Sequence, residues 1–242
     1  MLLSFSHALG RLLRLLPKRT SVRLESLQAS FFVPPNCHYV ADDLKQIASG
    51  QREPRLYQWL AAMPEGSVYF DVGTSYGQEV ALASSPLGRN VTVVGFDCGL
   101  YHAHFCALNR RLNEDRFEFV FAAVGETSGE LVTITCNSDT HIPHLHRKNV
   151  PYSYDVMTLA LDDYVKRQQL SPTHLKIDVD GAEFGVLRGA AELLADSQLR
   201  EVFIEIDHEN AGIMDYMADM GFTVAWSEEK AVNRDVLFVR SG

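Results

Sequence analysis

The chain has 242 residues, 46% of them hydrophobic and 22% charged, with a formal net charge of −9. That length allows one α/β domain with a sizeable core and a short extension, and that composition is ordinary for a globular protein. A net negative charge excludes a general nucleic-acid binder, which needs a broad basic surface to displace counterions from phosphates.

The basic residues are unevenly spread. Residues 1 to 24 contain no acid but carry Arg11, Arg14, Lys18, Arg19 and Arg23, and Leu2, Phe5, Leu9, Leu12, Leu13 and Leu16 recur at helical spacing. The pattern predicts a basic amphipathic helix within an N-terminal extension over 1–30. Its arginines interrupt the apolar run well short of the roughly 20 residues that span a bilayer. No charged region precedes the leucines as a secretion signal requires. Residues 2–19 therefore predict a contact with the domain, with another subunit or with a membrane surface, and an organelle transit peptide is a further reading. The four cysteines, Cys37, Cys98, Cys106 and Cys136, form no C-x-x-C pair. Free thiols and a cytoplasmic location, with a peripheral membrane contact as the variant, are the expectation.

Residues 31–65 hold Pro34-Pro35 and two helical stretches, 41–49 and 53–63, separated by Gly50, a lead-in that can lie against a ligand cleft. The domain proper is expected over 66–242. It opens with SVYFDVGTSYGQE from Ser67 to Glu79. This reads as a buried strand (Val68 to Val72), a turn bearing Gly73, Tyr76 and Gly77, and a helix from about Gln78. Missing Cβ atoms at Gly73 and Gly77 permit positive φ and close approach of a ligand to the main chain, and the helix start presents unpaired N–H groups. A dinucleotide turn reads G-x-G-x-x-G, whereas here Asp71 stands two residues before the first glycine. A carboxylate there repels a pyrophosphate and attracts a cationic ligand, so the turn suits a sulfonium amino acid such as S-adenosylmethionine.

A second strand, Val91 to Phe96, is apolar but for Thr92 and is therefore expected to be buried on both faces. It ends in Asp97, where a Rossmann-type fold holds ribose hydroxyls, or where an acid caps the helix predicted over 101–112. Phe117 to Val124 is the third strand, and Glu130 to Cys136 a strand-like excursion. His141, His144 and His146 lie in a segment broken by Pro143, Asn149 and Pro151, which predicts a loop, or a lid over substrate, and not a metal site. Asp162 and Asp163 open a short helix and are expected to cap it.

Thr173 to Ala190 is the second site-like stretch, with a strand ending near Val179 and a helix over 181–195. Asp180 and Glu183 have capping-box spacing. Asp178 stands at the strand tip, where an ionised carboxylate is costly unless a ligand, a cation or Lys176 compensates it. A fifth strand, Glu201 to Ile206, ends in Asp207 and His208, a helix follows, and Gly221 to Trp226 with Val236 to Val239 form a closing hairpin. Strands alternating with helices give an α/β fold, a doubly wound and mostly parallel sheet with an antiparallel edge hairpin.

Four separated segments carry a resemblance: FDVGTSYG from Phe70, LALDDY from Leu159, LKIDVDGAEFGVLRGA from Leu175, and RDVLFVR from Arg234. They are similar to the FkbM-type methyltransferases, over roughly residues 66–240, and the run KIDVDGAE is the most distinctive. The resemblance implies a seven-stranded Rossmann-like sheet of the class I methyltransferase type, S-adenosylmethionine as methyl donor, and O-methylation of a sugar, glycolipid or polyketide-like acceptor. Carried over by position, it implies that Asp71, Gly73 and Gly77 flank the methionine end of the donor, with Tyr76 in the same turn. It likewise implies that Asp97 meets the ribose and Asp178 the region of the methyl group. The chain departs from the family at Asp180, where glutamate is common, in the Thr74-Ser75-Tyr76 turn, and at Ala122-Ala123, which offers no acid to an adenine amine.

A hydroxyl is a poor nucleophile until its proton is removed, which calls for a base or a cation. Asp178 and Asp207 are expected to position a hydroxyl-bearing small-molecule or glycan acceptor, directly or through Mg or Mn, with His208 taking the proton. Two rivals stand beside this reading: a nicotinamide oxidoreductase, since Asp97 suits that ribose too, and a catalytically silent binding module.

Overall fold

The computed structural model describes residues 18–34, 38–87, 90–136, 143–145, 152–210 and 212–241. The helix expected over residues 2–19 lies outside them up to residue 17. Beyond that point the expectation is corrected: Lys18–Leu24 is a strand, β1, paired antiparallel with β2 (Leu27–Val33). Thr20, Val22 and Leu24 alternate with exposed Arg19, Ser21 and Arg23, a period of two that a hairpin satisfies and a helix does not. Its inner face, Val22, Leu27, Ala29 and Phe31, is buried in the main core. Among the described residues no helix is long and apolar enough to cross a membrane.

Helices α1 (His38–Ala48) and α2 (Pro54–Ala62) follow, and the chain then enters the sheet. Its strands in chain order are β3 (Val68–Val72), β4 (Thr92–Asp97), β5 (Glu118–Phe121), β10 (His174–Ile177), β11 (Glu201–Asp207), β12 (Phe222–Glu229) and β13 (Asn233–Arg240). In space they run β12-β13-β11-β10-β3-β4-β5. All are parallel except β13, which lies antiparallel between β11 and the edge strand β12. The closing hairpin therefore forms the edge, with its reversed strand one place in.

From β3 the chain winds outward through α3 (Gln78–Ala83), β4, α4 (Leu100–Leu112) and β5, then returns to β10 on the other side of β3. The order reverses between β3 and β10, and in such sheets the crevice at the carboxyl ends of the strands at this point receives ligands. Successive side chains feed two apolar layers: Tyr69, Val93 and Phe203 pack with Trp59 and Phe31 on one face. Phe70, Val94 and Ile204 pack with Leu187 and Met217 on the other. This double burial explains the largely apolar character of the central strands.

The third strand is shorter than expected, because after Phe121 the chain leaves the large sheet. Residues Ala123–Val124 (β6) join a second sheet with β9 (Tyr152–Leu159), β7 (Leu131–Cys136) and β8 (Pro143–Leu145). His141 and His146 lie outside the described residues. Asp162, in α5 (Leu161–Gln168), does not cap its own helix. Its carboxylate accepts the N–H groups of Glu192 and Leu193, each at 2.9 Å, at the start of α7 (Ala191–Ala195). The helix expected over 181–195 is two, α6 (Glu183–Arg188) and α7, broken where Gly189 packs against the Gly125 carbonyl. Beyond β11, residues His208–Asn210 form a 3-10 turn before α8 (Ile213–Asp219).

Candidate functional site

The turn after β3 is built around two contacts. The Gly73 and Thr74 N–H groups both donate to the Phe96 carbonyl, at 2.9 and 3.0 Å, tying β3 to the tip of β4. Gly73 has φ +85°, and a Cβ there would lie 1.7 Å from the Asp178 carbonyl oxygen. The first glycine is thus demanded by the neighbouring strand, which presses its backbone against the turn. Ser75 also has positive φ, 51°, and its N–H donates to Asp97 Oδ2 at 2.7 Å. The other oxygen of Asp97 accepts the Gly99 N–H at 2.6 Å. One carboxylate therefore fixes both the β3 turn and the start of α4. Burial pushes its pKa up to about 7, against the lowering effect of the two N–H donors.

A cavity of about 480 Å³ opens along these carboxyl ends, within the roughly 300–1,000 Å³ of small-molecule sites. One end is apolar, with Phe96, Cys98, Ala122, Ala123, Val124 and Ile134. The middle is lined by Gly73, Ser75, Tyr76 and Asp97, with Asp178, Val179 and Asp180 beside them. The far end is closed by the lead-in segment, α3 and α4, through Tyr39, Asp43, Arg52, Gln78 and His102. There the Tyr39 hydroxyl and His102 Nε2 are 2.7 Å apart, and Arg52 Nη1 lies 3.0 Å from Asp43.

Of the residues singled out in the sequence, Gly73, Tyr76, Asp97 and Asp178 line this cavity. Asp71 does not: it is fully buried behind the turn, where Lys176 Nζ stands 3.4 Å from its Oδ1 and 3.0 Å from Asp178 Oδ2. Burial raises the Asp71 pKa and Lys176 opposes the shift. For Lys176 burial acts downward, but Asp178, Asp71 and Glu79 outweigh it and hold the ammonium well above its usual range. The charge ahead of the first glycine is thus met inside the protein, and direct contact of Asp71 with a ligand is not what the geometry provides. Gly77 starts α3 with φ +85° and packs on Cys106, outside the cavity lining.

Asp207 and His208 do not line the cavity either. Asp207 lies near Gly181, and the half-exposed His208 ring faces the Lys230 carbonyl at 3.3 Å. Asp178 and Asp207 do not fit a shared metal, because Asp178 is ion-paired with Lys176. Among the described residues no group of three His, Cys, Asp or Glu side chains gathers as ligands. Asp180 is not a helix cap: it has φ +47°, and Ala182 occupies the N-cap of α6. Glu183 does reach back to the Gly181 N–H, at 2.8 Å, and also accepts from Asn210 at 2.6 Å. Tyr39, Asp43, Arg52 and His102 carried no local signal in the sequence, since only the packing of α1 and α2 across the sheet edge brings them to one place.

This sheet order, with its single reversed strand and its cavity at the β3/β10 switch point, is that of the class I methyltransferase fold. The chain matches the family model of the methyltransferase FkbM domain over residues 71–224, well over half its length. It belongs to the FkbM methyltransferase family. A methyltransferase FkbM from Methylobacillus flagellatus KT superposes with a TM-score of 0.56 at 14% identity, over 83% of this chain and 54% of that one. The chain thus spans about half the length of that relative. The Streptococcus pneumoniae protein Sp1610, a putative tRNA (m1A22) methyltransferase in complex with S-adenosyl-L-methionine, gives 0.50 at 10% identity, covering 78% of this chain and 72% of that one. A precorrin-6y C5,15-methyltransferase from Geobacter metallireducens GS-15 gives 0.50 at 11% identity, covering 78% and 89%. At these identities the likeness is one of fold. No curated protein matches the chain.

Proposed function

We propose that this protein is an S-adenosylmethionine-dependent O-methyltransferase acting on a hydroxyl-bearing small-molecule or glycan acceptor. The observation that carries the reading is one continuous cavity joining an apolar end, a main-chain turn with a buried acid, and a pair of exposed-edge carboxylates. The donor has a matching sequence of parts. Its adenine suits the pocket of Cys98, Ala122, Ala123 and Ile134, its ribose hydroxyls suit Asp97, and its methionine portion suits the wall made by Gly73, Ser75 and Tyr76.

When bound, S-adenosylmethionine supplies a methyl group on a positively charged sulfur. The chain's part is to align the acceptor oxygen with that methyl, to exclude water and to receive one proton. Asp178 and Asp180 sit at the tip of β10 beside the turn and suit that task. Asp178, whose Oδ2 lies 3.0 Å from Lys176 Nζ, would accept the hydroxyl proton as oxygen bonds to carbon and the carbon–sulfur electron pair stays on sulfur. His208 and Asp207 have no part in this scheme.

Incubation with S-adenosylmethionine and a panel of free sugars, glycolipids and polyketide-like alcohols tests the reading. Release of S-adenosylhomocysteine with a one-methylene mass gain on an acceptor oxygen is expected. Transfer to nitrogen or carbon in place of oxygen would contradict it.

A further inference from the structure

The proposed donor carries a sulfonium, an ammonium and one negative group, its α-carboxylate. The cavity wall carries four carboxylates, Asp43, Asp97, Asp178 and Asp180, and among the described residues a single Arg or Lys side chain, Arg52. A carboxylate entering this space meets four acidic side chains and one guanidinium. We infer that Arg52 anchors the donor's α-carboxylate, so that the lead-in helices and not the glycine turn alone set where the methionine end lies. The inference rests on the donor reading above.

The position of Arg52 is fixed from both sides. It occupies the corner between α1 and α2, with Nη1 3.0 Å from Asp43 of α1. Its neighbour Glu53 turns the chain with φ 40° and meets Lys230 at 3.6 Å. Lys230 in turn holds Glu205 of β11 at 3.0 Å and Asp235 of β13 at 2.9 Å. The corner is therefore locked to the carboxyl edge of the large sheet, and the guanidinium is carried there on a rigid support.

Asp43 occupies one end of the guanidinium fork, and Glu53, at 3.7 Å from Nη2, is beyond hydrogen-bond distance. The Nε–H is buried and has no hydrogen-bond partner. A guanidinium has five donors in a planar fork shaped for a carboxylate, and among the described residues only Nη1 of Arg52 has a hydrogen-bond partner, Asp43. Asp43 then has a second role: it orients the fork from one side. Lys176, the other cation nearby, is consumed by Asp71 and Asp178 and does not line the cavity.

Deleting the interaction from either side tests this. Calorimetric affinities of the full chain are compared for S-adenosylmethionine and its decarboxylated form, with wild type, Arg52→Gln and Arg52→Lys. Wild type is expected to prefer the intact donor by about 10- to 100-fold, the range of a charge-assisted bond. Arg52→Gln loses that factor for the intact donor and leaves the decarboxylated compound unaffected, and Arg52→Lys regains part of it. Equal losses for both compounds would mean a structural role and overturn the inference. So would a wild type that does not discriminate, which needs no variant to fold. Failure of wild type to bind either compound would instead remove the donor reading itself.

Discussion

Lys176 and Asp178 face each other at 3.0 Å across the tip of β10, and the same ammonium lies 3.4 Å from Asp71 on the adjacent strand. Asp71 and Lys176 are register partners in the parallel β3–β10 pair, so the ion pair spans the point where the sheet reverses its winding. One cation is thereby shared between an interior acid and a cavity acid.

Removing that cation leaves Asp71 buried and unpaired. Lys176→Met is expected to destabilise the protein by about 3–5 kcal/mol at neutral pH, the usual cost of breaking a buried pair from one side. Adding Asp71→Asn should recover much of the loss, because the remaining polar group is neutral. Urea denaturation of the single and double variants checks this; equal instability of the two would contradict it.

Asp97 makes stability and donor affinity depend on pH in opposite senses. Its folded pKa is raised by burial from 3.8 to about 7. Its stabilising contribution is therefore complete below the unfolded value and is lost as pH rises through about 7. Relative to Asp97→Asn, the wild type should lose stability on the order of 4 kcal/mol between pH 4 and 7. In the proposed donor pose the ribose hydroxyls would donate to the ionised form, so affinity for S-adenosylhomocysteine should rise through pH 7 in wild type and stay flat in Asp97→Asn. Titrations across that interval read both effects.

The two glycines on either side of β3 should respond unequally to alanine. Gly66 has φ +78° and open space around it, whereas at Gly73 an added Cβ would meet the Asp178 carbonyl at 1.7 Å. Gly66→Ala is expected to cost about 1 kcal/mol, a backbone penalty alone. Gly73→Ala should cost more than about 3 kcal/mol, because two strands must separate as well. Thermal melts of the two variants give the comparison.

Most of the sheet was legible because its strands are buried on both faces: Val68–Val72 is apolar but for Asp71, and Glu201–Asp207 carries the apolar run Val202–Ile204. The glycine turn and Asp97 were legible for a related reason, since positive φ and a buried acid demand particular residue types. What escaped depends on distance in sequence. Lys18 and Arg19 read as the end of a basic helix until their partner strand β2 is in place, and Asp71 reads as a ligand contact until Lys176 is seen beside it. His208 stands next to Asp207 in the chain, but the 3-10 turn carries it toward the β12–β13 loop and away from the cavity. Arg52 has no local pattern at all, and only a corner held by Asp43 and, through Glu53, by Lys230 makes it part of the site.

The most direct test of the central claim is equilibrium binding of S-adenosylhomocysteine and of NAD to the full chain by calorimetry. Saturable one-to-one binding of S-adenosylhomocysteine that is weakened by Asp97→Asn, with no heat from NAD, is the predicted result. Binding of NAD in its place, or binding of neither compound to folded protein, would contradict the account.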